Sequence, residues 1–324
     1  MPMSPVPPAP PTRGPVRRGR RRRGWGIAVV ALLLSLAVWF APHAPSWQGL
    51  GTGWNSFLPW SAVLVALLAV LALVRRAWWG LAAVLVPALV WSAVFVPQLL
   101  PRPAEANGVG AAPDLLVATQ NIGATNPRPG AAADALAASG AGLVAVQELS
   151  STTGAAAQQQ LDGAYPHQST VGTVGLWSNW DLGNTQQLEL GLGWARALRV
   201  PVEHPLGEIA VYVVHLASVR PGDTAARDAG LTELAALVAA DPAPRVLVLG
   251  DLNTAGTDPR FGDLTGELTD SRIATGGGFG FTWPAGLPLT RPDHVLVRGL
   301  AVTSDSVLDA GGSDHRAVLA GLRF

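Results

Sequence analysis

Two hydrophobic patterns follow one another along the chain, and they change over near residue 101. Before that point, apolar residues run through about 25–41, 57–74 and 78–100, with no charged residue inside any of the three. At about 1.5 Å of helical rise per residue, such runs cross most or all of a hydrocarbon core roughly 30 Å thick, the first at the short end. Past Asp114 the apolar runs shorten and turn residues separate them. Runs at 115–120, 143–147, 174–178, 194–200, 208–215, 245–250, 293–297 and 315–319 predict strands, several continuous enough to be buried on both faces. Ala-rich stretches at 130–139, 152–161 and 223–240 predict helices; the last repeats Leu231, Leu234, Leu237 and Val238 at helical spacing. Strands and helices in this mixture predict an α/β sandwich of sheets with helices outside.

Composition turns the first pattern into a topology. Residues 1–24 are rich in Pro, then in Arg, and read as a disordered basic cytoplasmic tail. Residues 25–100 read as a three-span transmembrane region, with Trp25, Trp39, Trp60, Trp78 and Trp79 near the segment ends, as in interfacial belts. The only charged residues between the second and third runs are Arg75 and Arg76, which belong inside with the basic tail. Three spans then leave everything after Leu100 on the outer face. A cleavable signal peptide is the rival reading of the first span, and its loss leaves that orientation unchanged. Residues 101–113, rich in Pro, Gly and Ala, read as a linker to a domain of residues 114–324, long enough for one packed core.

The zero net charge hides an asymmetry: from Pro113 onward there are 21 acidic residues against 12 Arg, and before it 1 against 10. An acidic outer domain does not suit non-specific capture of nucleic-acid backbone, and it suits a site that needs cations. With no Cys, disulfides and thiolate zinc sites are excluded.

Candidate chemistry lies where the strands end. Asn121, Glu148, His215, Asp251 with Asn253, and the pair Asp314-His315 each close or adjoin an apolar run. Strands ending in such residues can gather them at one edge of a sheet, which is how a hard-metal site is assembled from a dispersed sequence. Asp251 and Asn253, two apart, point the same way if extended geometry persists.

Gln120-Asn121-Ile122-Gly123, Gln147-Glu148, His215-Leu216, Gly250-Asp251-Leu252-Asn253, Arg291-Pro292-Asp293-His294 and Ser313-Asp314-His315 occur in the order and at about the spacing of the endonuclease/exonuclease/phosphatase superfamily, which the chain resembles over 114–324. The resemblance implies a four-layer α/β sandwich, two packed mixed β-sheets flanked by helices, here preceded by three transmembrane helices. It implies Mg²⁺-dependent cleavage of a phosphoester, with Mn²⁺ as a substitute metal. Glu148 would be the principal metal ligand. Asn121 would serve the metal shell or the phosphate, and Asp314 the metal or its water. Asp251 would take the proton of the attacking water, and Asn253 would bond the phosphoryl oxygen. His315, oriented by Asp293, would stabilise charge on phosphorus, while His215 would act at the leaving-group oxygen or contact the phosphate.

Some positions depart from the pattern. The Arg that relatives often carry is missing from 175–182, and the Tyr or Arg that some nuclease members place against the substrate phosphate has no clear match, Arg220 being a candidate. Gly123 stands where DNA-repair members carry an acid. His167, His204 and His294 have no matching role, His294 reading as cover for the sheet, and Trp283 lines the cleft or packs in the core. The architecture is similar to actinobacterial membrane members implicated in glycopeptide-antibiotic resistance. The expected protein is a multi-pass cell-membrane phosphoesterase facing outward and acting on a lipid-linked phosphodiester or pyrophosphate. An anchored extracellular nuclease for DNA or RNA, and an inactive binding module, are the alternatives.

Overall fold

The computed structural model describes residues 24–324 except Pro45, 103–109, Pro221 and Ala310. Nearly all of the basic tail expected over 1–24, and most of the linker expected over 101–113, lie outside the described residues. Contacts group the chain into two compact units, Met1–Val38 with Ser61–Trp91, and Trp39–Trp60 with Ser92–Phe324.

Among the described residues before residue 101 there are four α-helices: α1 (Trp25–Trp39), α2 (Leu50–Ser56), α3 (Ser61–Val74) and α4 (Trp78–Leu99). The three apolar runs are therefore helical. Among the described residues, only α4 is by itself long and apolar enough to cross a membrane, whereas α2 and Leu58–Val74 pass the same test only as a pair bent by 65°, and α1 has 15 residues. In the first unit, Ile27, Ala31, Ala72, Ala77 and Val84 form a small buried cluster.

Among the described residues, the rest of the chain is built on twelve strands. In chain order they are β1 (Leu115–Asn121), β2 (Leu143–Gln147), β3 (His167–Val171), β4 (Val174–Ser178), β5 (Gln186–Gln187), β6 (Ala197–Val202), β7 (Ile209–His215), β8 (Val246–Asp251), β9 (Thr269–Asp270), β10 (Asp293–Arg298), β11 (Ala301–Leu308) and β12 (Ala317–Arg323). They make two six-stranded sheets, ordered β11-β12-β1-β2-β4-β3 and β5-β6-β7-β8-β10-β9. Each sheet is mixed, with one parallel pair, β1 with β2 and β7 with β8.

The alternation of side chains along the strands sets the layers. Val117, Leu143 and Leu176 from one sheet meet Val211, Leu249 and Val295 from the other in a core between the sheets. The opposite face of the first sheet packs Val144, Val146 and Trp177 against α5 (Pro129–Ala138) and α6 (Gly154–Ala164). The outer face of the second packs Tyr212, Val248 and Leu296 against Leu231, Leu234 and Val238 of α7 (Ala225–Ala240). Two mixed sheets flanked by helices are thus the observed architecture of this part.

The four strands that the apolar pattern does not predict are β3, β5, β9 and β11, and these are the four sheet edges. An edge strand has one unpaired side and more solvent, so it carries polar residues such as those of His167–Val171 and shows no continuous apolar run.

Candidate active site

The site stands where the core between the sheets runs out of apolar residues. On β7, Ile209, Val211 and Val213 face that core; the next residue on the same face is His215. On β8 the series Leu247, Leu249 is followed by Asp251, and on β10 Val297 and Val295 are followed by Asp293. Strand register puts these three on one rung, His215 beside Asp251 and Asp251 beside Asp293. On the facing sheet, Asn121 pairs in register with Gln147, and Glu148 comes next. The period-two alternation that builds the core therefore also aims the polar strand ends into the gap between the sheets.

Hydrogen bonds tie these ends together. The Asn121 amide donates to Glu148 Oε1 and to Asp251 Oδ2, both at 3.0 Å, and Asn121 Oδ1 accepts from the Gly123 amide, closing a turn. Glu148 Oε2 accepts from the Ala124 amide at 2.6 Å. Asp251 Oδ1 accepts from the Asn253 amide, and the Asn253 side chain donates to the Leu216 carbonyl. His315 Nδ1 lies 2.9 Å from Asp293 Oδ2, which also accepts from the Thr282 hydroxyl; His315 Nε2 lies 3.9 Å from Asp251 Oδ2. The backbone of His315 is fixed to the end of β1, because Gln120 donates to its carbonyl and Ser313, bonded to the Asn121 carbonyl, accepts from its amide.

The electrostatics follow from burial. Taken alone, burial would lower the His315 pKa, but the Asp293 carboxylate, with Asp251 and Asp314 behind it, outweighs that and holds it up to about 10. Burial, then the charge of Asp293, pushes Asp251 up to about 7 against the opposing His315. His215 is buried with no hydrogen-bond partner on either ring nitrogen, its Nε2 lying 3.6 Å from Glu148 and 3.7 Å from Asp251. Burial and the charges of Arg196 and His315 keep it well below the ordinary histidine pKa, so it is a neutral imidazole.

Glu148 and Asn253 have φ of 62° and 47°, a left-handed region that non-glycine residues generally avoid. Both are held there by the hydrogen bonds just described, and strain of this kind concentrates at functional sites. At Gly123, φ is +75° and an added Cβ would stand 3.3 Å from Asp314 Oδ1, so an acidic side chain there would be strained and would crowd Asp314.

Glu148, Asp251, Asn253, Asp314 and His315 line one cleft of about 400 Å³, with Asn121, His215 and Asp293 bonded to or in contact with them. All eight residues singled out in the sequence therefore come together. The donor set is rich in oxygen, as hard divalent cations require. Among the described residues, ligand atoms of Asp251, Asp293 and His315 lie within 4.8 Å of one another, close enough to hold an ion. Asp293 gives Oδ2 to both His315 and Thr282, which orients the ring, while its buried Oδ1 has no hydrogen-bond partner.

Arg196 and the bridging role of His294 were not apparent in the sequence, and of the two places it left open for Trp283, cleft or core, the cleft is the one observed. Arg196, just before β6, is buried, donates to the Leu216 carbonyl, and stands in the field of Asp251 and Glu148. Only an Arg near the start of the run 194–200 signals it. Trp283 lines the cleft and donates to Asp314 at 3.3 Å. His294, expected merely to cover the sheet, bridges Asp270 at 3.1 Å and the carbonyl of Thr254 at 2.8 Å, joining the edge strand to the loop after Asn253.

Asp270 also takes two bonds from Arg291, at 3.0 and 3.1 Å. Burial alone would raise its pKa, yet the Arg291 charge and the His294 hydrogen bond hold the carboxyl well below the usual range. The stability it supplies is thus complete above its unfolded pKa of about 3.9 and is lost as pH falls further. Asp270→Ala leaves Arg291 buried without its charge partner and is expected to cost about 3–5 kcal/mol at neutral pH. Thermal melts at pH 7 that superimpose on wild type would refute this.

The family model described as the Endonuclease/Exonuclease/phosphatase family matches residues 118–315. The chain belongs to that family. As a member of the endonuclease/exonuclease/phosphatase family it is a metal-dependent phosphoric ester hydrolase. A humanized D. rerio TDP2 with 14 mutations is similar in structure, with a TM-score of 0.56 at 16% identity, covering 65% of this chain and 99% of its own. Truncated Caenorhabditis elegans TDP2 gives 0.54 at 17%, covering 65% and 98%. A family protein from Leptotrichia buccalis gives 0.53 at 13%, covering 65% and 100%. At such identities the likeness is one of fold. No curated protein sequence matches the chain.

Proposed function

We propose that the protein is a multi-pass membrane phosphoesterase, anchored by α1, α3 and α4, whose domain of residues 114–324 faces outward and cleaves a lipid-linked phosphodiester or pyrophosphate with Mg²⁺. The observation that carries the chemistry is the rung His215–Asp251–Asp293, capped by the His315–Asp293 pair and faced by Glu148 and Asn121. The carboxylates of Glu148, Asp251 and Asp314 around one cleft, with Asp251 pushed up by burial and its neighbour, fit a divalent cation that supplies the missing positive charge. Glu148, Asn121 and Asp314 would hold Mg²⁺, or Mn²⁺ in its place, which when bound screens the phosphate charge.

The remaining roles belong to the chain's own groups. Asp251, fixed by the amide of Asn253, accepts the proton of the attacking water. His315, kept protonated by Asp293, donates from Nε2 to the phosphoryl oxygen as charge builds there, with the Asn253 amide beside it. Neutral His215 has ring nitrogens free to bond the phosphate or the leaving-group oxygen. Arg196 adds a buried positive charge on the same side.

The membrane reading is supported by outward-facing Leu33, Leu67 and Leu89 on α1, α3 and α4, since water does not favour helices that are apolar all round. Tethering beside lipid gives a high effective concentration for lipid-linked substrates. The test is to assay full-length protein in lipid nanodiscs with Mg²⁺ against plasmid DNA, a phospholipid and an isoprenoid pyrophosphate. Cleavage of a lipid substrate is expected. Cleavage of DNA alone establishes the nuclease instead, and a folded protein inert on all three is the binding module. Activity of a cytoplasm-only reporter fused after Phe324 would overturn the outward orientation.

A further inference from the structure

One stretch well outside residues 118–315 reaches the cleft. Residues Trp39–Trp60 belong to the same compact unit as the sandwich, although α3 and α4 separate them in sequence from β1. Helix α2, within this stretch, is fastened to the catalytic loops. Arg227 of α7 is fully buried and donates through Nη2 to Thr52 Oγ1 at 3.1 Å. Through Nη1 it donates to Thr254 Oγ1 at 3.1 Å and to Asp258 Oδ2 at 2.9 Å, so one guanidinium joins α2 to the residue following Asn253. Thr257 donates to the Asn55 carbonyl at 2.5 Å. Trp60 donates from Nε1 to the Leu289 carbonyl at 2.8 Å and stacks on Phe281 with centroids 6.0 Å apart. Buried arginine is rare unless paired; Nε of Arg227 pairs with Asp228 on its own helix at 2.8 Å, while its terminal nitrogens hold this segment against the loop that carries Asn253.

The consequence is that Gly53, Ser56 and Phe57 line the same cleft as Glu148, His315 and Trp283. Phe57 is 42% exposed at this wall, so two large aromatic residues, Phe57 and Trp283, border the cleft that also holds the ionisable Glu148, Asp251, Asp314 and His315. That combination suits a substrate with an anionic phosphate and an apolar chain next to it. The wall is also the connection between α1 and α3, and exposed Trp39 and Trp60 mark its two ends, the residue type that membrane interfaces favour.

We propose that residues 50–57 are a wall of the active site and that Phe57 receives the apolar chain of a membrane-lipid phosphoester, which rests on the membrane-anchored lipid reading above. The wall and its occupant are tested separately. The chain has no cysteine, so Ser56→Cys in full-length protein in nanodiscs carries a single thiol. Coupling pyrene-maleimide to it is expected to lower turnover of the small soluble diester bis(4-nitrophenyl) phosphate by about tenfold or more relative to the unlabelled variant. The same label on Ser306→Cys, exposed on β11, should leave turnover within about twofold. Complete labelling at position 56 with turnover retained overturns the wall, whatever the natural substrate.

For the occupant, Phe57→Ala is expected to lower kcat/KM for dioleoylphosphatidylglycerol, through KM, by about tenfold more than for bis(4-nitrophenyl) phosphate. Equal losses on both, or none on either, overturn the role of Phe57. A wild-type protein that cleaves the soluble diester and no lipid overturns the lipid reading and the role of Phe57 with it, while the thiol result still decides the wall.

Discussion

His315→Ala is expected to lower kcat on a simple phosphodiester by about 10²–10³ or more, with the protein still folded, and Asp293→Asn to reshape the pH profile rather than only its height. His315 is tied to β1 through its backbone, by Gln120 and Ser313, so truncating the ring leaves the loop anchored. Its raised pKa, about 10, means that the imidazolium is present below that value and is lost above it. The wild-type enzyme should therefore keep its imidazolium through neutral pH and lose it only on the far alkaline side, while the acid limb of its turnover follows Asp251, which must be ionised to take the proton. With Asp293 made neutral, the largest force raising that pKa is gone while burial still lowers it. The imidazolium is then lost near or below the ordinary histidine value of about 6.5. The activity of Asp293→Asn relative to wild type should thus be much higher at pH 6 than at pH 8. A ratio that stays flat across this range would remove His315 from the role of charged donor, and wild-type turnover in His315→Ala would remove it from the mechanism.

The eight site residues were legible because each ends a strand whose apolar series is itself legible. Leu247, Leu249, Asp251 is one face of one strand, and a carboxylate that continues an apolar face must emerge at the end of the core. What was not legible depends on partners remote in sequence. The role of His294 appears only when Asp270 of an edge strand and the Thr254 carbonyl are seen on either side of its ring. Arg196 follows a Gly-rich stretch with no periodicity to place it, yet it ends up against Asp251. The edge strands carry no apolar run. The deepest omission is α2: its sequence, Leu50–Ser56 with glycines at 51 and 53, has poor helical propensity and reads as a plain connection. The second apolar run begins at Phe57 in the sequence, whereas α3 begins at Ser61 and Phe57 lines the cleft. Local pattern reports what a segment can bury, and the hydrogen bonds from Arg227, Thr257 and Trp60 that fix this one are all long-range.

The second large effect concerns Glu148. Its φ of 62° costs a non-glycine residue roughly 1–2 kcal/mol, and its carboxylate shares the Asn121 amide with Asp251, so two acids converge on one donor. A fold tolerates such an arrangement if a cation resolves it, which makes Glu148 the side chain whose loss should uncouple metal from stability. In wild type, saturating Mg²⁺ should raise the melting temperature, since a ligand at a hundred times its Kd stabilises by about 2.7 kcal/mol. In Glu148→Gln that rise should vanish over the same Mg²⁺ range, together with a loss of turnover of about 10² or more. Without Mg²⁺ the variant should melt close to wild type, because the amide oxygen can still accept from Ala124 while the negative charge facing Asp251 is gone. The melting measurement reads metal binding without reference to any substrate. An undiminished Mg²⁺ shift in Glu148→Gln would mean that the cation is held elsewhere, and the roles given to Asn121 and Asp314 beside Glu148 would fail with it.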